Sequence, residues 1–113
     1  MLVEMRTYTT HPGRLREYLA LYQAEGLAIQ QRILGRMVGY YSSEIGELNQ
    51  VVHLWAYQDL EDRRIRREKL HETPQWLECL RKIRPMIKTM ENRIMYPASF
   101  SPIRSLPLAF RND

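Results

Sequence analysis

The sequence predicts an α+β fold of the ferredoxin-like type, a split βαβ arrangement with the order β-α-β-β-α-β. Four segments show the alternating or β-branched pattern of strands, and the segments between them repeat apolar residues at helical spacing. A chain of 113 residues with 44% hydrophobic composition is long enough for one domain with a core and too short for two. We therefore expect a single antiparallel sheet with the helices on one face.

The first strand and the first helix are predicted from residues 2–35. Residues 2–9 alternate apolar with polar or aromatic side chains, and His11-Pro12-Gly13 ends this strand. Apolar residues recur at three- and four-residue spacing from about Arg14 to Ile33, which predicts a helix. Gly26 should weaken or bend that helix, because a mid-helix glycine costs about 1 kcal/mol relative to alanine. Gly35 is suited to cap its C-terminus.

The second and third strands are predicted to form a hairpin over residues 38–57, around an interruption that contains Gly and Asn. Successive strand side chains take opposite faces, so the third strand has an aliphatic side and a mixed side. The aliphatic side carries Val52, Leu54 and Ala56, and the mixed side carries Val51, His53, Trp55 and Tyr57.

The second half of the chain predicts a helical region and a last strand. Asp59 can cap a helix, Thr73-Pro74 can restart it as N-cap and first-turn proline, and Pro85 ends it. Residues 88–96 alternate without a clean apolar face, and we expect them to form the fourth strand.

The prolines after the fourth strand indicate an extended arm. Pro97, Pro102 and Pro107 occur among Ser, Phe and Leu residues, a composition that suits an arm better than a packed element. We expect one domain over residues 1–102 and a C-terminal extended arm over residues 103–113.

The composition favours a protein of a reducing compartment. Cys79 is the only cysteine, so no intrachain disulfide can form. The first residues lack the apolar core and cleavage site of a signal peptide, and no apolar stretch is long enough for a bilayer. We expect a soluble, cytoplasmic protein with no membrane partner.

The net charge of +4 does not by itself indicate a nucleic-acid partner. The excess lies after residue 72, without a nucleic-acid-binding motif, and we expect no nucleic acid to bind. In the basic stretch from Arg63 to Lys69, the pairs Asp62 to Arg66 and Arg64 to Glu68 have the spacing of exposed ion pairs. A solvated, self-compensated helix face is therefore favoured there over an anion-binding surface.

The two-sided strands predict a second chain. We expect the aliphatic sides, Val3 and Met5 together with those of the third strand, to face the helices. The other face would then expose a large apolar patch to water, which soluble monomers rarely do, so a homodimer should cover it. That face would carry Glu4, Arg6 and Tyr8 beside His53, Trp55 and Tyr57.

Several motifs resemble those of the NIPSNAP family over about residues 2–102. They are Glu4-x-Arg6-Thr7-Tyr8, Pro12-Gly13, Glu25-Gly26, Val38-Gly39-Tyr40, the block Glu44-Ile45-Gly46-x-Leu48-Asn49-Gln50-Val51-Val52-His53-Leu54-Trp55-x-Tyr57, and the pairs Asp62-Arg63 and Arg66-Arg67. The resemblance implies a dimeric α+β barrel, in which two ferredoxin-like subunits set their sheets face to face.

The resemblance leaves the chemistry open. NIPSNAP proteins are linked to vesicular transport and mitochondrial quality control in animals, and this short chain resembles the bacterial single-domain type. The wider barrel group includes cofactor-free oxygenases such as monooxygenases, small cyclases, isomerases and haem-degrading proteins. Fold analogy does not choose among these.

The candidate catalytic residues are His53, Arg6 and Tyr8. A histidine can act as base or acid near neutral pH, while a guanidinium and a phenol can hold an enolate or carboxylate oxygen. This set suits cofactor-independent acid-base or oxygenase-type chemistry on an aromatic or carbonyl-bearing metabolite. The candidate ligand-binding residues are Glu4, which could orient Arg6 or His53, and the ring walls Tyr40 or Tyr41, Trp55 and Tyr57.

Alternatives stay open at this point. These polar groups can serve only to satisfy one another at a subunit interface. The pocket can instead lie between sheet and helices, where Tyr18, Tyr22 and Trp76 would line it or simply form core. A non-enzymatic interaction module would use the basic stretch and the arm, and a haem-binding protein would use His71. No cofactor is expected and no metal-ligand motif is present.

Overall fold

Four strands, four helices and one 3₁₀ turn make up residues 1–108, the part of the chain that the computed structural model describes. The elements are β1 (Leu2–Thr10), α1 (Leu15–Glu25), α2 (Leu27–Leu34), β2 (Met37–Ser42), β3 (Gln50–Tyr57), α3 (Leu60–His71), α4 (Pro74–Ile83), the 3₁₀ turn (Arg84–Met86) and β4 (Ile87–Met95). Of the predicted arm, residues 109–113 lie outside the described residues.

The sheet is antiparallel throughout and has the strand order β2-β3-β1-β4. The two central strands, β1 and β3, are therefore the neighbours that the sequence predicted, and the ferredoxin-like topology is confirmed. Their register places Arg6 opposite His53 and Glu4 opposite Trp55. No helix within residues 1–108 is long and apolar enough to cross a membrane.

The helical region after β1 is two helices, separated at Gly26. A Cβ atom at this position would lie 3.0 Å from Cys79 Sγ, from Trp76 Cζ3 and from Tyr22 Cδ1. The predicted weak point is thus also a site of close packing between α1 and α4. Gly35 ends α2 with a φ of 83°, as the predicted C-cap requires.

The predicted helix starts are confirmed at Asp59 and Pro74. Asp59 Oδ1 accepts a hydrogen bond from the Asp62 backbone nitrogen at 2.7 Å, and Pro74 is the first residue of α4. The Thr73 hydroxyl donates instead to the Lys69 carbonyl oxygen at 2.9 Å, so this residue precedes α4 without capping it through its side chain.

The predicted orientation of the sheet is wrong, although the predicted division into two faces is right. The helices cover the mixed face, and the aliphatic residues of the other face are partly exposed except for the buried Ala56. The inner sides of α1 and α4 carry tyrosine and tryptophan, and these rings pack favourably against the rings of the mixed face. The buried side chains of the mixed face are Leu2, Glu4, Tyr8, Val51, His53, Trp55 and Tyr57.

Candidate functional site

A cavity of about 240 Å³ lies between the mixed face of the sheet and the helices. Its inner part is lined by buried residues of the sheet and of α1 and α4, and its opening is marked by the exposed side chains of His71, Arg84 and Met90. This is the alternative location that the sequence left open. The side chains that line it from the sheet are Arg6, Tyr8, Tyr40, His53, Ile87 and Met90, and those from α1, α3 and α4 include Tyr18, Tyr22, Arg67 and Trp76.

His53 is held in one tautomer by its neighbour on β3. Trp55 Nε1 donates a hydrogen bond to His53 Nδ1 at 2.8 Å. An indole nitrogen can only donate, so Nδ1 carries no proton and the neutral ring has its proton on Nε2. Burial, together with the charge of Arg6, lowers the pKa of His53 to about 3.

His53 Nε2 therefore presents a hydrogen-bond donor rather than a basic lone pair. This atom is buried and has no partner within residues 1–108. The proton transfer near neutral pH that the sequence predicted for His53 does not fit this geometry. A neutral imidazole can still polarise a carbonyl oxygen by donating to it.

Arg6 links Glu4 and Tyr8 along the same face of β1. Its Nε donates to the Tyr8 hydroxyl oxygen at 2.7 Å, and its Nη1 donates to Glu4 Oε2 at 3.1 Å. Because Tyr8 accepts from a cation, its own proton remains free to donate to another acceptor. The Tyr8 ring also meets the His53 ring edge to face, with the ring centres 4.9 Å apart.

Glu4 is a fully buried carboxylate that anchors two further elements. Its Oε2 also accepts from Arg63 Nη2 of α3 at 2.8 Å and from Asn92 Nδ2 of β4 at 2.9 Å. Burial alone would raise the pKa of Glu4, but these hydrogen bonds and the charges of Arg6 and Arg63 lower it to about 2. Glu4 therefore stays ionised, and its carboxylate holds the Arg6 guanidinium in position behind the cavity wall.

Tyrosine rings form the inner wall beside His53. The Tyr40 ring stacks on the His53 ring with centres 4.5 Å apart, and the Tyr22 ring stacks on Tyr40 at 5.0 Å. The hydroxyls of Tyr18 and Tyr40 are hydrogen-bonded at 2.8 Å, and the Tyr22 hydroxyl donates to Gln30 Oε1. Burial raises the pKa of all three phenols, so they remain protonated.

The structure brings together only some of the predicted site residues. Arg6, Tyr8, Tyr40 and His53 line the cavity. Glu4, Trp55 and Tyr57 are buried behind this wall rather than part of it, and Tyr41 is 60% exposed.

The cavity also uses cationic residues of α3 that the sequence assigned to a solvated face. Arg63 binds Glu4, and Arg67 lines the cavity. Both lie on the side of α3 that carries the buried Leu70, at spacings of four and three residues, and this periodicity could have identified them. The predicted pairs Asp62 to Arg66 and Arg64 to Glu68 are confirmed.

The alternative functions lose support from this geometry. The basic stretch does not form one outward surface, because Arg63 and Arg67 turn inward and Arg66 bonds Asp62 and the Ile33 carbonyl oxygen. A cavity of about 240 Å³ is also smaller than typical sites for drug-sized ligands, which makes a haem macrocycle a poor fit. No group of side chains suited to hold a metal ion occurs within residues 1–108.

Comparisons with known proteins give both a family and a fold. The NIPSNAP family model matches residues 3–102. A Protein NipSnap homolog from Dictyostelium discoideum is 36% identical over 94 residues, which cover 83% of this chain and 41% of that protein. The chain spans 35 to 41% of the length of the Dictyostelium protein and of five further NipSnap proteins, from Drosophila, zebrafish, mouse and human, to which it is similar.

Solved structures agree with this result. An uncharacterized NIPSNAP-like domain protein from Burkholderia xenovorans is 48% identical, with a TM-score of 0.89 over 99% of this chain and 97% of that chain. An antibiotic biosynthesis monooxygenase is 15% identical, with a TM-score of 0.61 over 87% of this chain and 99% of that chain. At that identity the second likeness concerns the fold alone.

Proposed function

The chain belongs to the NIPSNAP family, and from this premise we propose that it is a homodimer that binds a small, ring-containing, carbonyl-bearing metabolite between its sheet and its helices. The ligand enters past His71 and Arg84 and lies against the tyrosine wall. The carbonyl oxygen of the ligand accepts hydrogen bonds from donor groups in the inner wall of the cavity.

The observation that carries this proposal is a pair of buried donors without acceptors. His53 Nε2 and Trp76 Nε1 are both buried, both belong to residues of the cavity wall, and neither has a hydrogen-bond partner within residues 1–108. A buried unsatisfied donor costs about 1–3 kcal/mol, so such groups need an explanation. A ligand oxygen supplies the missing acceptor, and its ring supplies contacts for Tyr40 and Tyr22.

Proton transfer next to a carbonyl is the second candidate function. The Tyr8 hydroxyl and His53 Nε2 are suited to donate to a developing enolate oxygen, since Arg6 increases the donor strength of Tyr8. His71 lines the cavity, and burial with the charges of Arg67 and Arg84 lowers its pKa below the ordinary value. His71 is therefore neutral at pH 7 and is the imidazole available to accept a proton.

The homodimer is supported by the other face of the sheet. Val3, Met5, Val52 and Leu54 leave an aliphatic surface partly exposed there, which the helices do not cover. An apolar groove between this surface and residues 96–103 adds to it. Pairing with the same face of a second copy would bury both surfaces.

A ligand screen with matched variants tests the binding proposal. The full chain is screened by thermal shift against small ring-containing carbonyl compounds, and the affinities of the hits are measured by calorimetry. Trp76→Phe should weaken binding by roughly tenfold, because one hydrogen bond to the ligand is lost while the ring is kept. Tyr41→Phe, which removes an exposed hydroxyl outside the cavity, should not change the affinity. Hits that bind both variants as tightly as the native chain would contradict the proposed site.

A further inference from the structure

Arg67 is a cation of the cavity wall that forms no ion pair with a carboxylate of the described part of the chain. It is half-buried, lines the cavity and forms no ion pair with any residue of the described range 1–108. Other arginines of α3 are paired, Arg63 with Glu4, Arg64 with Glu61 and Glu68, and Arg66 with Asp62. Buried charges are ordinarily paired, so Arg67 is the exception on its helix.

The charge around the cavity is strongly unbalanced. Arg6, Arg67 and Arg84 line it, and no Asp or Glu of residues 1–108 does so. The nearest carboxylate network is that of Glu4, whose Oε2 is already shared by Arg6 and Arg63. Burial and the charge of Arg6 lower the pKa of Arg67, and the charge of Glu4 offsets only part of this effect.

The other groups of the cavity wall indicate which class of anion would bind beside Arg67. The unpartnered atoms His53 Nε2 and Trp76 Nε1 are both donors, so the ligand must offer more than one acceptor. The rest of the wall is mostly tyrosine rings and apolar side chains such as Leu80 and Ile83, together with Gln30 and His71. A planar carboxylate on a ring fits this combination, because a guanidinium binds carboxylates with two parallel hydrogen bonds.

We infer that the ligand is a small ring-bearing carboxylate, and that Arg67 binds its carboxylate group together with the His53 Nε2 proton. The inference rests on the proposed function, since it names the chemical class of ligand for the same cavity. Binding of a carbonyl compound in this cavity requires neither Arg67 nor a negative charge on the ligand.

Benzoate and benzamide are suitable probes, because they share a shape and differ in charge. Binding is followed by NMR of the full chain, in which the only two tryptophans give two indole N–H signals. Benzoate should shift the Trp76 signal and bind at least roughly tenfold more tightly than benzamide. Trp55 already donates to His53, so its signal should change less.

Arg67→Met tests the assigned residue, and Arg64→Met is the matched control on the exposed side of the same helix. Arg67→Met should lower the affinity for benzoate to that for benzamide, whereas Arg64→Met should leave both unchanged. The ligand-free Arg67→Met protein should be at least as stable as the native chain, because an uncompensated charge is removed. A purely structural arginine would instead lower stability without changing the ratio of the two affinities.

The outcomes separate this inference from the proposed function. Equal affinities for benzoate and benzamide, tighter binding of inorganic phosphate, or full benzoate affinity in Arg67→Met would overturn the carboxylate inference alone. So would a screen in which neutral carbonyl compounds move the Trp76 signal and benzoate does not. If no compound moves that signal, both the inference and the proposed function are wrong.

Discussion

Trp55 Nε1 donates to His53 Nδ1 at 2.8 Å, between two residues that are neighbours on one face of β3. This hydrogen bond decides what His53 can do, because it removes the lone pair that a general base would need and directs the ring proton to Nε2. Sequence alone suggested a base or an acid, and the contact makes the same residue a hydrogen-bond donor.

Trp55→Phe should remove the hydrogen bond that fixes the tautomer of His53. Without the indole donor, the neutral imidazole can carry its proton on either nitrogen, so a fraction of the Nδ1-protonated form should appear. Nitrogen-15 NMR of the three histidines measures this directly, with His11 and His71 as internal controls whose signals should not change. A His53 that keeps the same single tautomer in this variant would show that Trp55 does not set it.

Acid should destabilise the protein, beginning near the ordinary pKa of histidine. The pKa of His53 is lowered from 6.5 to about 3, so between these values the unfolded chain binds a proton that the folded chain does not. The contribution of His53 to the free energy of unfolding is fully present above pH 6.5. It is lost as the pH drops toward 3, by up to about 1.4 kcal/mol per pH unit. Urea unfolding between pH 5 and 7.5 measures this slope.

His53→Gln is the matched variant for this pH dependence. Its amide oxygen can accept from Trp55 and its nitrogen can donate, but it does not titrate. The slope should decrease in this variant more than in His71→Gln, because His71 is exposed although its pKa is lowered in the same direction. An unchanged slope in His53→Gln would contradict the buried neutral state.

Glu4→Gln should be one of the most destabilising conservative changes in the chain. It removes the carboxylate that binds Arg6 and Arg63 and leaves two guanidinium groups without a counter-charge, which costs about 3 kcal/mol in buried pairs. Glu17→Gln, in the exposed pair with Arg14, is the same chemical change and should cost less than about 1 kcal/mol. Chemical denaturation of both variants compares them, and similar costs would argue against the buried network.

The sequence predicted the topology but not the orientation of the sheet. Alternation in β1 and β3 separates two sets of side chains, and this separation depends only on strand geometry. Which set packs against the helices depends on the side chains on the inner sides of the helices, here the rings of Tyr18, Tyr22 and Trp76. A core of aliphatic residues would place the aliphatic set beneath the helices, whereas the tyrosine-rich interior takes the mixed set.

The cavity shows the same limit at the level of single residues. His53 and Arg6 could be placed together from the sequence, because β1 and β3 are neighbours in the predicted topology and both residues lie on the mixed face. Arg67 could not be distinguished from Arg64 by type, since both occur in one charged run of α3. Only the position of the buried Leu70 on that helix separates the inward arginine from the exposed one.

Gly26→Ala should destabilise the protein although alanine favours helix. The propensity gain is at most about 1 kcal/mol, while the added methyl group would meet three side-chain atoms at 3.0 Å, and overpacking of this kind costs about 1–3 kcal/mol. Cys79→Ala removes one of those atoms. Cys79→Ala should therefore lower the free energy of unfolding less in the Gly26→Ala variant than in the native chain. If the effects of the two substitutions simply add, the helix break at Gly26 has another cause.

Leu54→Lys should separate the proposed dimer without unfolding the subunit. Leu54 is on the central strand β3 and lines the groove of the face that the helices do not cover, so a lysine there would place a charge in the centre of the subunit interface. Sedimentation should show twice the 13.6 kDa chain mass for the native protein and the single mass for the variant.

Leu77→Lys is the control for this change, because Leu77 is an exposed leucine of α4, 46% accessible, and the helices lie on the other side of the sheet. It should leave the mass unchanged. Circular dichroism must show a folded Leu54→Lys subunit, since the buried core beneath the helices is not altered. A lysine buried at the centre of two apposed sheets has no counter-charge on its own face of β3, so a Leu54→Lys variant that stays dimeric would exclude this face as the interface. A native protein that sediments at the mass of one chain would exclude it as well.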